Sequence, residues 1–211
     1  MKKKVDDCKM VYDLAKPYIE NFRTAVDVGS RNGGFTRLMV KHFKNIECFE
    51  ARKLKHISNA FWTGIGGRKE MKHKVSLHNC ALGDVNETVR MYGPIIHDDD
   101  WWKNSKIGRN SRQRKYKCSS VEQKLLDSFN FKNVDFIKID VEGHELKVLK
   151  GAVKTIRSFK PVIALEQHDK MEEWCFLWCK GEKFDGLNFL KTLGYKQVAF
   201  RGMDYIMKYS E

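Results

Sequence analysis

The stretch VDFIKIDVEGHELKVLKGA, residues 134–152, decides the fold. Val134 to Ile139 is a largely apolar run of strand length, and Leu146, Leu149, Val153 and Ile156 beyond it recur at helical spacing. A buried strand that turns straight into an amphipathic helix is half of a βαβ unit. Its joint carries four titratable side chains, Asp140, Glu142, His144 and Glu145. That much charge at the mouth of a strand calls for a ligand.

The same alternation extends to both sides. DDCKMVYDLAKPYIENF predicts an N-terminal helix over about 6–21, TAVDVG a first strand and GFTRLMVKHF a helix. IECFEA is the second strand, RKLKHISNAF a third helix, VSLHNCALGD the third strand with its turn, and VRMY a small extra strand. VEQKLLDSF reads as a helix before the fourth strand at 134–139, and GHELKVLKGAVKTI as one helix after it. PVIALEQ is the fifth strand, LNFLKTLG a helix closed by glycine, and YKQVAF with DYIMKY a terminal hairpin over about 195–209. The expected architecture is α/β: a Rossmann-like, doubly wound, mostly parallel seven-stranded sheet with helices on both faces and a C-terminal antiparallel hairpin.

The 211 residues, 42% hydrophobic and 12% aromatic, suffice for one sizeable core, so residues 1–211 read as a single domain. No apolar run reaches the roughly 18 residues of a membrane span, and MKKKVDD lacks the apolar stretch of a signal peptide. The six cysteines are scattered, as reduced residues of an intracellular, cytoplasmic protein would be. Cys175 and Cys179, with His168, offer three ligands where a structural zinc needs four, and there is no second pair. The net charge is +13, and Lys103, Lys106, Arg109, Arg112, Arg114, Lys115 and Lys117 supply over half of it with no acid among them. That basic loop, about 94–118, is either a solvated surface segment or a lip that gathers an anionic partner such as a nucleotide-sugar, an acidic glycan or a nucleic acid.

In a doubly wound sheet the ligand sits beyond the carboxyl ends of the strands. Strand one ends in Asp27-Val28-Gly29-Ser30-Arg31-Asn32-Gly33-Gly34. Gly29 permits a tight turn, Gly33 and Gly34 let a ligand lie against the next helix, and the free N–H groups there favour a carboxylate. Asp27 adds a negative charge suited to an ammonium. Glu50, 21 residues after Gly29, ends strand two, where an acid accepts hydrogen bonds from both hydroxyls of a ribose. The spacing departs from the G-x-G-x-x-G of dinucleotide sites, so an amino-acid-plus-ribose ligand fits better than a pyrophosphate.

AVDVGSRNGGFTRLM resembles motif I of the class I S-adenosylmethionine-dependent methyltransferases. NCALGD, VDFIKIDVEGHELKVLKGA and PVIALEQH resemble the FkbM family among them, and the likeness runs from Ala25 to His168. More faintly, the lysine-rich composition is similar to glycan-modifying enzymes of large DNA viruses, which would place the chain in a host cytoplasm. The family resemblance implies O-methylation of a sugar hydroxyl on a glycan or glycoside. It also implies that Asp27, Gly29 and Gly33, with Ser30 and Asn32 in the same loop, hold the methionine part of the donor. Glu50 would take the ribose, and Ala81, Leu82 and Asp84 the adenine edge. Many relatives have proline after the strand-two acid; this chain has Ala51. The chain would also suit one domain of a longer glycan-building protein.

Methyl transfer from a sulfonium is an in-line displacement, and a sugar hydroxyl is a poor nucleophile until its proton is taken. Asp140 stands where the donor methyl should project, with Glu142 beside it on the acceptor side. The first choice is a general base, His144 or His168, oriented by Asp140 or Glu166. The alternative is Mg²⁺ or Mn²⁺ held by Asp140 and Glu166, since hard cations choose carboxylate oxygens. Each has a plainer counterpart: Asp140 as a helix cap, Glu142 and Glu145 as complements of a helix dipole, the histidines as structural hydrogen-bonders. Trp101 and Trp102 either stack on a sugar face or pack locally in a lid.

Two rival functions follow from the same residues. An RNA or cap ribose methyltransferase would use the basic loop with Trp101, Trp102 and Tyr116 for phosphate contacts and base stacking. Against it, no lysine lies between Pro161 and Glu166, and IDVEG replaces the Asn/Asp-Pro-Pro-aromatic of base-methylating enzymes. A non-catalytic S-adenosylmethionine-binding module would keep the fold without turnover; the intact glycine loop and Glu50 argue against it.

Overall fold

The computed structural model describes residues 7–52, 73–94, 106–107, 116–167 and 185–210. Helix α1 (Asp7–Ala15) runs into a 3-10 turn, Lys16–Tyr18, where Pro17 lacks the N–H an α-helix needs. Then follow β1 (Thr24–Val28), α2 (Thr36–Met39), β2 (Asn45–Phe49) and β3 (Val75–His78). Next are β4 (Ala81–Leu82), β5 (Glu87–Pro94), β6 (Lys106–Ile107) and β7 (Tyr116–Lys124). The stretch quoted above forms β8 (Val134–Ile139) and α3 (Glu145–Lys150), followed by α4 (Val153–Phe159) and β9 (Val162–Glu166). The described chain closes with α5 (Gly186–Thr192), β10 (Tyr195–Arg201) and β11 (Asp204–Tyr209).

Seven strands form one sheet in the order β10-β11-β9-β8-β1-β2-β3. The run from β9 to β3 is parallel, and β11 lies antiparallel to both β9 and β10, so the expected α/β architecture is the observed one. All five residues of β1 are buried, as befits a central parallel strand covered on both faces. One core holds Val11, Tyr12, Met39, Phe43 and Phe136 with α1 and α2; the other holds Ile137, Ile139, Val148, Leu149 and Leu165 with α3 to α5. Alternation along β8 therefore puts Lys138 on the Phe136 side, where its ammonium lies 5.6 Å from the Phe35 ring centre.

Three expectations need correction. VEQKLLDSF is not a helix: Val121 and Gln123 are buried while Ser120 and Glu122 are exposed, a period of two that belongs to β7, and a 3-10 turn takes up Leu126–Phe129. VRMY is an extra strand as expected but a longer one: it is the middle of β5, which pairs along its length with β7 in a second sheet, order β4-β7-β5-β6. GHELKVLKGAVKTI is two helices. A Cβ on Gly151 would lie 1.9 Å from the Gly83 carbonyl oxygen, and Asp127 caps α4 by accepting from the N–H groups of Lys154 and Thr155, both at 2.8 Å. The third helix expected from RKLKHISNAF lies, after Arg52, outside the described residues, as does most of the basic loop. Among the described residues no helix is long and apolar enough to cross a membrane.

Candidate active site

An open cleft lies at the carboxyl ends of β1, β2 and β8, roofed by β4 and β5. Phe49, Ala81, Leu82 and Met91 make its apolar wall, and Glu50 and Asp140 bring carboxylates to its rim.

The first crossover is locked from both sides. The N–H groups of Gly29 and Ser30 donate to the Phe49 carbonyl at 3.0 and 3.1 Å, and the Asp140 N–H donates to the Val28 carbonyl at 3.1 Å. Gly29 has φ +78°, and a Cβ there would sit 1.9 Å from the Asp140 carbonyl oxygen, so only glycine fits. Arg31 also adopts the left-handed region, φ 48°, and its N–H turns onto Glu50 Oε2 at 2.9 Å.

Glu50 is 5% exposed and receives three further bonds, all from Arg52. The Arg52 N–H and Nε reach Oε1 at 3.0 and 2.9 Å, and a terminal guanidinium nitrogen reaches Oε2 at 2.9 Å. Burial alone would raise the Glu50 pKa, but the Arg52 hydrogen bonds and charge outweigh it and hold the group below the usual carboxylate range. Asn79 Nδ2 clamps the loop by donating to the carbonyls of Glu50 (2.8 Å) and Arg52 (2.6 Å).

The β8 rim is a network of acids around one buried cation. Lys138 Nζ donates to Asp140 Oδ2 at 3.0 Å and lies 3.9 Å from Asp27 Oδ1. Burial works against its charge, but Asp140, Asp27 and Glu166 keep it protonated well above the ordinary lysine range. Asp140 is driven down to about 2: burial opposes ionisation, and the Lys138 ammonium and a hydrogen bond from Glu166 overcome it. Glu166 is pushed the other way, to about 9, by burial and by its hydrogen bond with the ionised Asp140. The two carboxyls thus share one proton at neutral pH. Asp204, opposite Glu166 in the β9–β11 pairing, is raised to about 6 by burial and by Asp140.

Beyond Asp140 the chain passes through Glu142 and Gly143 at positive φ, 57° and 100°. Glu145 pins this turn, its Oε1 accepting from the N–H groups of Gly143 at 2.9 Å and Val141 at 3.2 Å, while burial lifts its pKa to about 7. His144 is buried, with Nε2 2.9 Å from Gln123 Oε1. Gln123 Nε2 donates to the Val85 carbonyl, which fixes its amide, so His144 carries its proton on Nε2. Burial and nearby Lys147 lower His144 to about 4. It is a neutral imidazole oriented by Gln123, not by Asp140 or Glu166 as expected.

Of the residues singled out from sequence, Gly29, Glu50, Ala81, Leu82, Asp140, Glu142 and His144 line the cleft together. Glu166 stands behind Asp140. Asp27 is fully buried, its Oδ2 accepting from the Thr36 hydroxyl at 2.6 Å, so it does not present its charge to the cleft. Ser30 and Gly33 are buried in the turn, Asn32 is exposed, and Asp84 sits past Gly83 near enough to His144 to act on it electrostatically. Trp101, Trp102, Arg109 and His168 lie outside the described residues. Of the Asp140 and Glu166 pair proposed for a metal, Asp140 bonds to Lys138 instead, and among the described residues no group of three or more His, Cys, Asp or Glu side chains is placed to hold an ion. The sequence reading missed Lys138, Arg52 and Gln123. A lone lysine inside the apolar run VDFIKI was the legible signal for the first.

Residues 27–200 match the Methyltransferase FkbM domain family. Among solved structures, the chain is similar to methyltransferase FkbM from Methylobacillus flagellatus KT (16% identity, TM-score 0.55), covering 96% of this chain and 50% of that one. It is similar to a protein from Clostridium thermocellum provisionally designated an rRNA-methylase (12%, TM-score 0.53, 96% of each chain). It is also similar to N-methyltransferase NodS from Bradyrhizobium japonicum WM9 (8%, TM-score 0.50, 99% and 97%). At these identities the likeness is one of fold, and the chain spans half the length of the FkbM structure. No curated protein matches the chain. With the family match covering most of the chain and the sheet order and cleft in place, the chain belongs to the Methyltransferase FkbM domain family.

Proposed function

We propose that this protein transfers the methyl group to a hydroxyl of a sugar, carried on a glycan, a glycoside or a nucleotide-sugar. The observation that carries the reading is the Asp140 carboxylate at the cleft rim, backed by the buried Lys138 ammonium 3.0 Å from its Oδ2.

The residues present suit the donor: an apolar slot between Phe49, Leu82 and Met91 for a purine, Glu50 for a ribose, and Asp140 for a positively charged centre. When bound, S-adenosylmethionine supplies a methyl group activated by its sulfonium. Asp140 then accepts the hydrogen bond of the acceptor hydroxyl and points an oxygen lone pair along the line of displacement. An acceptor oxygen taking up a methyl group would become strongly acidic. A carboxylate of low basicity therefore suffices to take its proton. Lys138 stabilises the ionised form of Asp140 before transfer, and Glu166 holds its carboxylate in place. Neither needs a metal ion, in contrast to the Mg²⁺ or Mn²⁺ alternative.

Labelled methyl donor offered to a panel of glycosides and nucleotide-sugars, with and without EDTA, tests this directly. Label should enter sugars with EDTA present, and Asp140→Asn should abolish transfer while keeping the fold. Activity lost to EDTA and restored by Mn²⁺ would sink the metal-free chemistry. The second reading, ribose methylation of RNA, rests on the seven basic residues between Lys103 and Lys117. Label appearing in RNA, with steep salt dependence of RNA binding, would decide for it.

A further inference from the structure

We infer that Arg52 is a built-in stand-in for the donor's ribose, and that its guanidinium must leave Glu50 each time a donor enters. The inference rests on the reading that Glu50 receives a ribose.

An ionised carboxylate has about four acceptor positions. At Glu50 four are filled: two by the backbone N–H groups of Arg31 and Arg52, two by the Nε and terminal nitrogen of the Arg52 guanidinium. The guanidinium takes one position on each oxygen. Two hydroxyls of a vicinal diol, one to each oxygen, need the same two positions. A ribose therefore cannot add to this arrangement; it replaces one edge of a planar fork with another pair of donors at matched spacing.

The surroundings confine the exchange to a side chain. Asn79 holds the carbonyls of Glu50 and Arg52, and the backbone N–H of Arg52 stays on Oε1, so the loop keeps its shape while the guanidinium moves. Both side chains of the pair are 6% exposed, so salt screens the contact weakly and the exchange has a substantial cost. That cost subtracts from donor and product affinity alike, since both carry the same ribose. Arg52 then lowers affinity for S-adenosylhomocysteine as well as for S-adenosylmethionine and speeds product release.

The test is calorimetric titration of S-adenosylhomocysteine into the full chain, in wild type and in Glu50→Ala, Arg52→Met and Arg52→Lys variants. Each is checked for folding by thermal melting. Arg52→Met leaves Glu50 with two open positions and should bind about tenfold tighter than wild type. Arg52→Lys, which keeps the charge but loses the fork, should fall between the two and decides the matter if Arg52→Met does not fold. Glu50→Ala should bind at least about tenfold more weakly, because the ribose loses both partners. In the ¹H–¹⁵N spectrum of the wild type, the Arg52 Nε–H resonance should shift when the ligand is added.

Equal or weaker binding by folded Arg52→Met or Arg52→Lys, with Glu50→Ala still impaired, overturns the stand-in while leaving the donor site intact. Unimpaired binding by Glu50→Ala, or no binding by wild type, removes the ribose assignment and this inference with it.

Discussion

The Lys138 ammonium donates at 3.0 Å to Asp140, the residue just past the end of its strand, reaching beyond Ile139 to the rim of the cleft. Residues two apart in an extended chain share a face, and register with β1 brings Asp27 beside Lys138. One buried cation therefore serves an acid of β1 and the acid proposed to meet the acceptor. Lys138→Met should destabilise the fold by about 3 kcal/mol in urea unfolding, because two buried acids lose their counter-charge. Adding Asp27→Asn should recover part of that loss. The Asp140 pKa is depressed in the fold, to about 2, so the stabilisation of this pair is present above the ordinary carboxylate range and fades as pH falls toward 2. The deficit of Lys138→Met should accordingly be smaller at pH 3 than at pH 7.

Gly29 tolerates no side chain, since its φ is left-handed and a Cβ would overlap the Asp140 carbonyl. Gly29→Ala should cost about 3 kcal/mol of stability and abolish S-adenosylhomocysteine binding measured by calorimetry. Retained binding in a stable Gly29→Ala protein would show that the crossover can shift without harm.

His144 is held neutral in the fold, with its pKa lowered from 6.5 to about 4. Its contribution is complete above pH 6.5 and is lost as pH falls toward 4, because only the unfolded chain takes up the proton in that window. His144→Gln removes this dependence. Melting temperatures of wild type and variant should diverge between pH 6.5 and 4, with wild type falling faster.

Glu166 carries the opposite sign. Its pKa is raised from 4.5 to about 9, so the folded state keeps a proton that the unfolded chain gives up from pH 4.5 onward. Its contribution is fully present below 4.5 and drains away as pH rises through 9. Glu166→Gln, neutral at every pH and still a donor to Asp140, should gain melting temperature relative to wild type across that range. A flat difference would mean that Glu166 is ionised in the native protein.

How far the sequence alone reached depended on the range of the forces involved. Hydrophobic period and turn residues are local, so TAVDVG, IECFEA, VDFIKID and PVIALEQ were legible as strands, and the rule that parallel strands converge on their carboxyl ends placed Glu50 and Asp140 on one rim. Three features were decided by the tertiary structure. The first half of the helix expected at VEQKLLDSF became the end of β7 because β5 offered it a pairing partner, and ladder hydrogen bonds override a weak local preference. The helix after Asp140 broke at Gly151 because the Gly83 backbone packs against it. The partners of the charged groups, Arg52 for Glu50, Lys138 for Asp140 and Gln123 for His144, depend on burial and on distances of a few ångströms. Composition carries no record of those, and the pKa shifts of Glu50, Asp140 and His144 follow from them.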